Sequence, residues 1–410
     1  RRYGNAGYET MRAAMEDLVA ALHGPKRPYN DLPLYKKLGE PRVAHPWPLF
    51  EGPICHPAPL HTGNDPERFR TLLRGLDTAL SCRGAQQENA LYLNDVTDWT
   101  KELLALVCNW AALDAWEGFR AGDVRRVHIA RNTARWALYG IESLLARRPA
   151  FHLQPQLERV MAVPGVNPHL DWYIKRHCIN WLYATNDVYE QMHWFYRPRF
   201  ELYLDTLLER ARAGETEFAW ADIAGEAKAI EERWLNGDIA VPADELPEEG
   251  TLELAEAWRS MVAVKRQAIE QMITRLAAPF AVPEEGRVFS ARDAAAARTG
   301  TWFHVVNPSS FSNHTYWTPK GEGNAVFTWR FDGAEPGEYE VHVWVPDDPN
   351  QDHAQDAPYT IVHAGGEAMV RLDQRENART WQPLGAFALD ADSRLELSNA
   401  ASSNPVADSV

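Results

Sequence analysis

The stretch APYTIVHAGGEAMVRLDQRENARTWQPLGAF, residues 357–387, decides how this chain divides. Apolar and polar residues alternate in it and glycines punctuate it, the pattern of half-buried strands joined by tight turns. Working outward, the same pattern begins near residue 288 and continues to the end. The runs AVFTWRF, EYEVHVWV, PYTIVHA, AMVRLDQ and RLELSNA are separated by turn clusters such as DGAEPGE and PDDPNQD. Several short strands at this spacing predict an antiparallel, jelly-roll-like β-sandwich.

Upstream the period changes. Val96, Trp99, Leu103, Leu106, Trp110 and Leu113 step by three and four, which places one broad apolar stripe on a helix opened by Asn94 or Asp95 and closed near Gly122. The same period recurs over 9–22, 124–145, 186–195, 199–213, 223–235 and 251–276. Pro198 is expected to split 186–195 from 199–213, because a first helical turn accepts proline and an interior does not. The fold class is therefore α then β: an all-helical domain over 1–277, a linker over 278–287 and a β-sandwich over 288–410. Residues 24–64 are rich in proline and carry no period, which suits a pocket-lining loop more than an idle connection.

Composition narrows the partners. The chain has 410 residues, 45% of them hydrophobic, and a net charge of −15. Both parts are acidic, with 8 basic against 17 acidic residues over 288–410. Nucleic acid and anionic membrane reward clustered Lys and Arg, so neither is expected as a partner. No run of about 18 apolar residues is present, so no membrane span is expected. No signal peptide is visible, which a cut or processed N-terminus would explain equally well, since the chain opens RRYG without a methionine. The chain closes at SSNPVADSV, where an alternating run has just begun, so the sandwich is expected to lack its last strand.

Metal and cofactor signals are weak. Cys55, Cys82, Cys108 and Cys178 form no C-x-x-C pair, so buried thiols or one disulfide are the readings. Cys55 and His56 with His61, and His169 with Asp171 and His177, lack the spacing of a closed zinc site. No G-x-G-x-x-G, Walker or G-x-S-x-G pattern occurs between a strand and a helix, so no metal and no cofactor is assigned. Glu102, Glu117, Asp187 and Glu190 lie near aromatics, but acid–base catalysis needs two carboxylates converging across a cleft, which spacing alone does not show.

Aromatic residues carry the stronger signal. Of 16 tryptophans 11 precede residue 288, and the run from Trp172 and Tyr173 through Trp181, Tyr183, Tyr189, Trp194, Phe195 and Tyr196 is dense. A pyranose offers an apolar C–H face that a flat ring can stack against. Helical spacing sends Tyr189, Met192 and Phe195 to one face and thus to the core. Trp172 and Tyr183 fall around a break in the helix pattern and are the candidate substrate-binding residues. In the sandwich Trp329 and Trp344 sit in alternating strands, whereas Tyr316 and Trp317 lie in the loop-like NHTYWTPKG and are the candidate carbohydrate-binding pair.

These residues also resemble known families. GTW, YEVHVWV, A-x-Y-x-I-V-H-A-G-G, V-R-L-D-Q, W-x-x-L-G-x-F and the closing V-A-D-S-V occur in order over 288–410, and resemble the golvesin and xanthan-lyase type carbohydrate-binding-like domain. In the first part the opening RRYG, ALYLNDVTDWTKELLALV, LYATNDVYEQMHWFYRPRFELYLDTL and FAWADIAGEAKAIEERWLNG resemble the helical C-terminal domain of the α-N-acetylglucosaminidases of glycoside hydrolase family 89, over about residues 1–237. That resemblance implies a secreted or periplasmic enzyme acting on a glycan or polysaccharide. It places both catalytic glutamates in an upstream barrel of the same polypeptide, so no catalytic residue is assigned here and the chain alone is expected to be inactive. The family's pocket tyrosine falls on Tyr183, with Leu182 replacing the aspartate before it; Trp172 is the tryptophan nearest the family's Trp-Gly-Pro segment. Two alternatives remain open. One is a polysaccharide lyase, which would need an Asn, His, Tyr and Arg set such as Asn180, His177, Tyr183 and Arg176. The other is a glycan-binding protein without catalysis.

Overall fold

A computed structural model describes residues 4–23, 66–178, 188–218, 222–237, 250–278, 286–293, 295–306, 310–311, 314–346, 352–378 and 380–410. They form two compact units that divide between Leu276 and Ala277.

The first unit is helical. α1 (Gly4–His23) buries Met11, Ala14, Leu18 and Ala21 against α2 (Pro66–Leu80), whose Phe69, Leu72 and Leu76 are likewise buried. Steps of three and four put each set on one stripe, and burying two such stripes together is what makes the helices a pair. Arg74 clamps Asp17 with two 2.8 Å hydrogen bonds across the seam. After the short α3 (Arg83–Gln86) comes α4 (Ala90–Arg120), which spans about 46 Å at 1.5 Å per residue. Its N-cap is Asn89, whose side chain accepts from Leu91 and Tyr92 N–H, so the helix starts a turn earlier than Asn94 or Asp95. Gly122, at a positive φ of 68°, turns the chain into α5 (Val124–Leu145), capped by Asp123. At Gly140 a Cβ would lie 2.7 Å from Leu104 and 3.0 Å from Trp258, so glycine permits the close approach of α5 to its neighbours.

Further on lie α6 (Gln154–Met161), α7 (Leu170–Cys178), α8 (Tyr189–Gln191), a π turn (Met192–Tyr196) and α9 (Arg197–Arg212). The expected split at Pro198 does not occur, because the π turn joins α8 to α9 without a break. Its wider ring shifts the hydrogen-bond ladder just before the proline, which then sits in the first turn of α9. Tyr189, Met192 and Phe195 are all buried. Rungs of charge bind α9 to α5: Arg131 to Asp205 at 2.7 Å and Arg135 to Glu201 at 3.0 Å. Farther along, His193 lies 2.6 Å from Glu142, which also pairs with Arg197. Then follow α10 (Ala224–Asn236), α11 (Thr251–Val264) and α12 (Arg266–Ala277). The single helix expected over 251–276 is two, interrupted at Lys265 with no glycine or proline to announce it.

The second unit is built of antiparallel sheets. β1 (Ala296–Thr299), β4 (Val326–Arg330), β6 (Ala357–His363), β7 (Gly366–Leu372) and β9 (Arg394–Ser398) form five strands in the order β1-β4-β9-β6-β7. β2 (Phe303–Val306), β3 (His314–Trp317) and β10 (Val406–Ala407) form a second sheet ordered β10-β3-β2, and β5 (Gly337–Val345) pairs with β8 (Thr380–Leu389). All three sheets feed one core through Tyr316, Phe327, Trp329, Val343, Tyr359, Ile361, Leu384, Leu397 and Ala407. Alternation sends Ala357, Tyr359 and Ile361 of β6 inward, and a two-residue turn returns the chain so that His363 faces Gly366. β8, absent from the alternating runs above, tolerates Pro383 because the register shifts at Val341/His342 opposite it and Gly385 takes a φ of 133°. A bulge with a glycine is where a paired strand can accept a proline.

Candidate functional site

In the helical unit the candidate residues gather around α7. Trp172 lies within the helix, half-buried, its ring edge-on to the exposed Tyr173 at 5.3 Å. α7 is held from α10: Trp234 Nε1 donates to the Lys175 carbonyl at 3.0 Å, Lys175 Nζ donates to the Gly237 carbonyl at 3.0 Å, and Arg176 pairs with Glu231 at 3.0 Å. Trp234 is fully buried against Phe195 of the π turn. The Gln191 amide donates both to the Cys178 carbonyl and, at 2.8 Å, to the Tyr196 hydroxyl. Thus α7 and α8, which flank the stretch bearing Tyr183, are tied to each other and to one aromatic cluster. Tyr183 itself, Asn180 and Asp187 lie outside the described residues, as does the 24–64 stretch, and the side chain of His177 is not described.

Glu190 takes a role that spacing did not show. It is 1% exposed, and its carboxylate accepts from the backbone N–H of Leu153 at 2.8 Å and of Gln154 at 3.1 Å, with His152 Nδ1 at 3.3 Å. Burial pushes the carboxyl upward, but the hydrogen bonds from His152 and the two amides outweigh it and hold Glu190 below the usual carboxylate range. A general acid needs the opposite shift, so this carboxylate anchors the start of α6. Glu102 pairs with Lys101 at 3.3 Å. Among the described residues no group of three His, Cys, Asp or Glu is placed to hold a metal ion, and Cys82, Cys108 and Cys178 are free thiols. Burial pushes the Cys178 thiol up to about 11, which leaves it a poor nucleophile at neutral pH.

In the β unit the stretch expected to be a loop is a strand. His314, Thr315, Tyr316 and Trp317 make β3, paired on both sides, and strand alternation separates the two candidate rings. Tyr316 turns into the core, packing on Phe327, with the Arg298 guanidinium 4.2 Å above its ring. Trp317 turns to the other face, where it stacks on Phe303 at 4.7 Å and 27°. Phe303 is on the edge strand β2 and is 46% exposed. Sequence reading did not single out Phe303; the aromatic and β-branched run FHVV was its available signal. Among the described residues this unit opens two clefts. One, of about 450 Å³, has mostly apolar walls that include Val288, Phe331, Val341, Trp381 and Leu389. The other, of about 610 Å³, is polar and lies between Thr301, Lys320, Glu322, Asn324 and Asn399.

Comparison with known proteins agrees with the division into units. Residues 63–261 match the family model of the alpha-N-acetylglucosaminidase (NAGLU) C-terminal domain. Residues 287–410 match that of the golvesin C-terminal domain. The helical part is therefore similar to a domain of a glycoside hydrolase. No curated protein matches the chain. Among solved structures a Paenibacillus xanthan lyase is similar at 22% identity and a TM-score of 0.28, over 30% of this chain and 12% of that one. Among the described residues no helix is long and apolar enough to cross a membrane.

Proposed function

We propose that this chain is the non-catalytic C-terminal portion of a secreted or periplasmic glycoside hydrolase that removes terminal α-linked N-acetylglucosamine from glycans. The match of residues 63–261 to the alpha-N-acetylglucosaminidase C-terminal domain carries the reading. On it, the reaction is a retaining displacement in which one carboxylate attacks the anomeric carbon and a second protonates the leaving oxygen. Both carboxylates belong to a catalytic barrel upstream on the same polypeptide. The tied-down Glu190 fits this division of labour, since its geometry serves packing.

The helical unit supplies wall to the pocket through Trp172 and Tyr183, and α7 is fixed by Lys175, Arg176 and Trp234 so that the wall is preorganised. The β unit, a sandwich on this reading, binds glycan through the outward-facing Trp317, with Tyr316 backing the same strand from the core. The lyase alternative loses support from Arg176, whose guanidinium is engaged with Glu231.

In the product of the native gene, Tyr183→Phe is expected to raise KM for an aryl α-N-acetylglucosaminide about 5-fold, the size of one lost hydrogen bond to a sugar hydroxyl. An unchanged KM would remove Tyr183 from the pocket. Free N-acetylglucosamine is the expected product from glycans, and an unsaturated sugar absorbing in the ultraviolet would establish the lyase.

A further inference from the structure

The outer face of β2 and β3 ends in a feature that neither family match assigns. Phe303 and Trp317 form the terminal rung of this ribbon, directly opposite one another, with their rings stacked. The polar cleft begins one residue past Trp317, at Thr318, and two residues before Phe303, at Thr301. The far side of the cleft is brought against that end by Gly300, at a φ of 73°, where a Cβ would lie 2.7 Å from Ala325 Cα and from the Asn324 carbonyl.

The loop that forms the cleft is fixed. Asn399 Oδ1 accepts from Gly323 N–H at 3.0 Å and Ala325 N–H at 3.1 Å, while its Nδ2 donates to Asn324 Oδ1 at 2.9 Å and to the Pro319 carbonyl at 3.3 Å. Gly321 N–H donates to the Asn399 carbonyl at 2.6 Å, and a Cβ on Gly321 would collide with the Asn399 amide. Asn399 is thus consumed by the architecture. Lys320 N–H donates to Asn404 Oδ1 at 3.3 Å, while the side chains of Thr301, Lys320 and Glu322 make no hydrogen bond or ion pair among the described residues, and the Asn324 amide nitrogen stays available. A rigid cleft with a hydroxyl, an ammonium, a carboxylate and an amide, next along the chain to an aromatic pair of which Phe303 is exposed and Trp317 half-buried, has the makings of a sugar subsite. Ring faces take the C–H surface, and fixed polar groups take the hydroxyls.

We propose that Phe303 and Trp317 form the stacking floor, and Thr301, Lys320, Glu322 and Asn324 the polar wall, of a subsite for one pyranose ring of a neutral glycan. The inference rests on the glycan-binding reading of the β unit and says where and what it binds. Charge selects the neutral class: residues 288–410 carry 8 basic against 17 acidic side chains, which repels sulfated or uronate-rich chains.

The test is a printed array carrying neutral and sulfated glycans, probed with the full 410-residue chain, followed by titration calorimetry with the strongest neutral glycan. Neutral glycans are expected to bind. Phe303→Ala and Trp317→Ala are each expected to weaken binding about 10-fold and Asn324→Ala about 3-fold, while Trp317→Phe stays within about 3-fold of the parent. Phe303 is exposed, so its truncation leaves the fold intact, which an unchanged thermal transition checks. If both aromatic truncations bind as the parent does, the subsite lies elsewhere and only the glycan-binding reading survives. A preference for sulfated glycans overturns the neutral class, and a parent that binds nothing on the array overturns both the subsite and the reading beneath it.

Discussion

Glu190→Ala is expected to destabilise the helical unit by about 3–5 kcal/mol, because removing one member of a buried charged network leaves its partners unpaired in the interior. Two amide N–H groups at the start of α6, Leu153 and Gln154, would lose their acceptor, and His152 Nδ1 would lose its carboxylate partner. Glu190→Gln retains one acceptor oxygen and is expected to cost about half as much. Calorimetric or urea unfolding of the chain measures it, and a loss below about 1 kcal/mol would show that the carboxylate is not an anchor. The same group sets a pH dependence. Its native carboxyl titrates below the ordinary value of 4.5, so its contribution is fully present above pH 4.5 and is lost as the pH falls through the native value. The parent should therefore lose stability on acidification more steeply than Glu190→Gln does.

The second large effect is expected in the β unit. Gln374 is fully buried, and its side chain holds β10 by both backbone groups of Val406: Nε2 donates to the carbonyl at 2.8 Å, and Oε1 accepts the N–H at 2.9 Å. Nε2 also donates to the Tyr359 hydroxyl at 2.8 Å, and burial pushes that phenol up so that it stays neutral. Gln374→Ala strands three buried polar groups, each worth about 1–3 kcal/mol, and is expected to cost about 4 kcal/mol in total. Faster amide exchange at Val406 should accompany the loss. Protection at Val406 equal to the parent would mean that β10 is held by its pairing with β3 alone.

The hairpin of β6 and β7 was legible because its residues alternate and a glycine turn separates the runs; α5 was legible because one apolar stripe runs its whole length. β8 was less so, since Pro383 and Gly385 are strand breakers unless a bulge receives them, and a bulge depends on the partner strand. Likewise no glycine or proline marks the interruption at Lys265, and the π turn over Met192–Tyr196 keeps the chain helical up to Pro198. At the sites, aromatic density led to Trp172 and Trp317 but not to Phe303, Gln374 or Asn399. Their importance comes from partners distant in sequence: Phe303 meets Trp317, Gln374 meets Val406, and Asn399 meets the 319–325 loop.

On the proposed function, the chain serves a glycosidase without performing its chemistry. The most direct measurement is release of p-nitrophenol from p-nitrophenyl α-N-acetylglucosaminide by the polypeptide of the native gene, beside the 410-residue chain alone. Hydrolysis by the former with retained anomeric configuration, and none by the latter, is the predicted result. Hydrolysis by the isolated chain that a point mutation within it abolishes, or a native gene product inert toward this substrate, would overturn the proposed function.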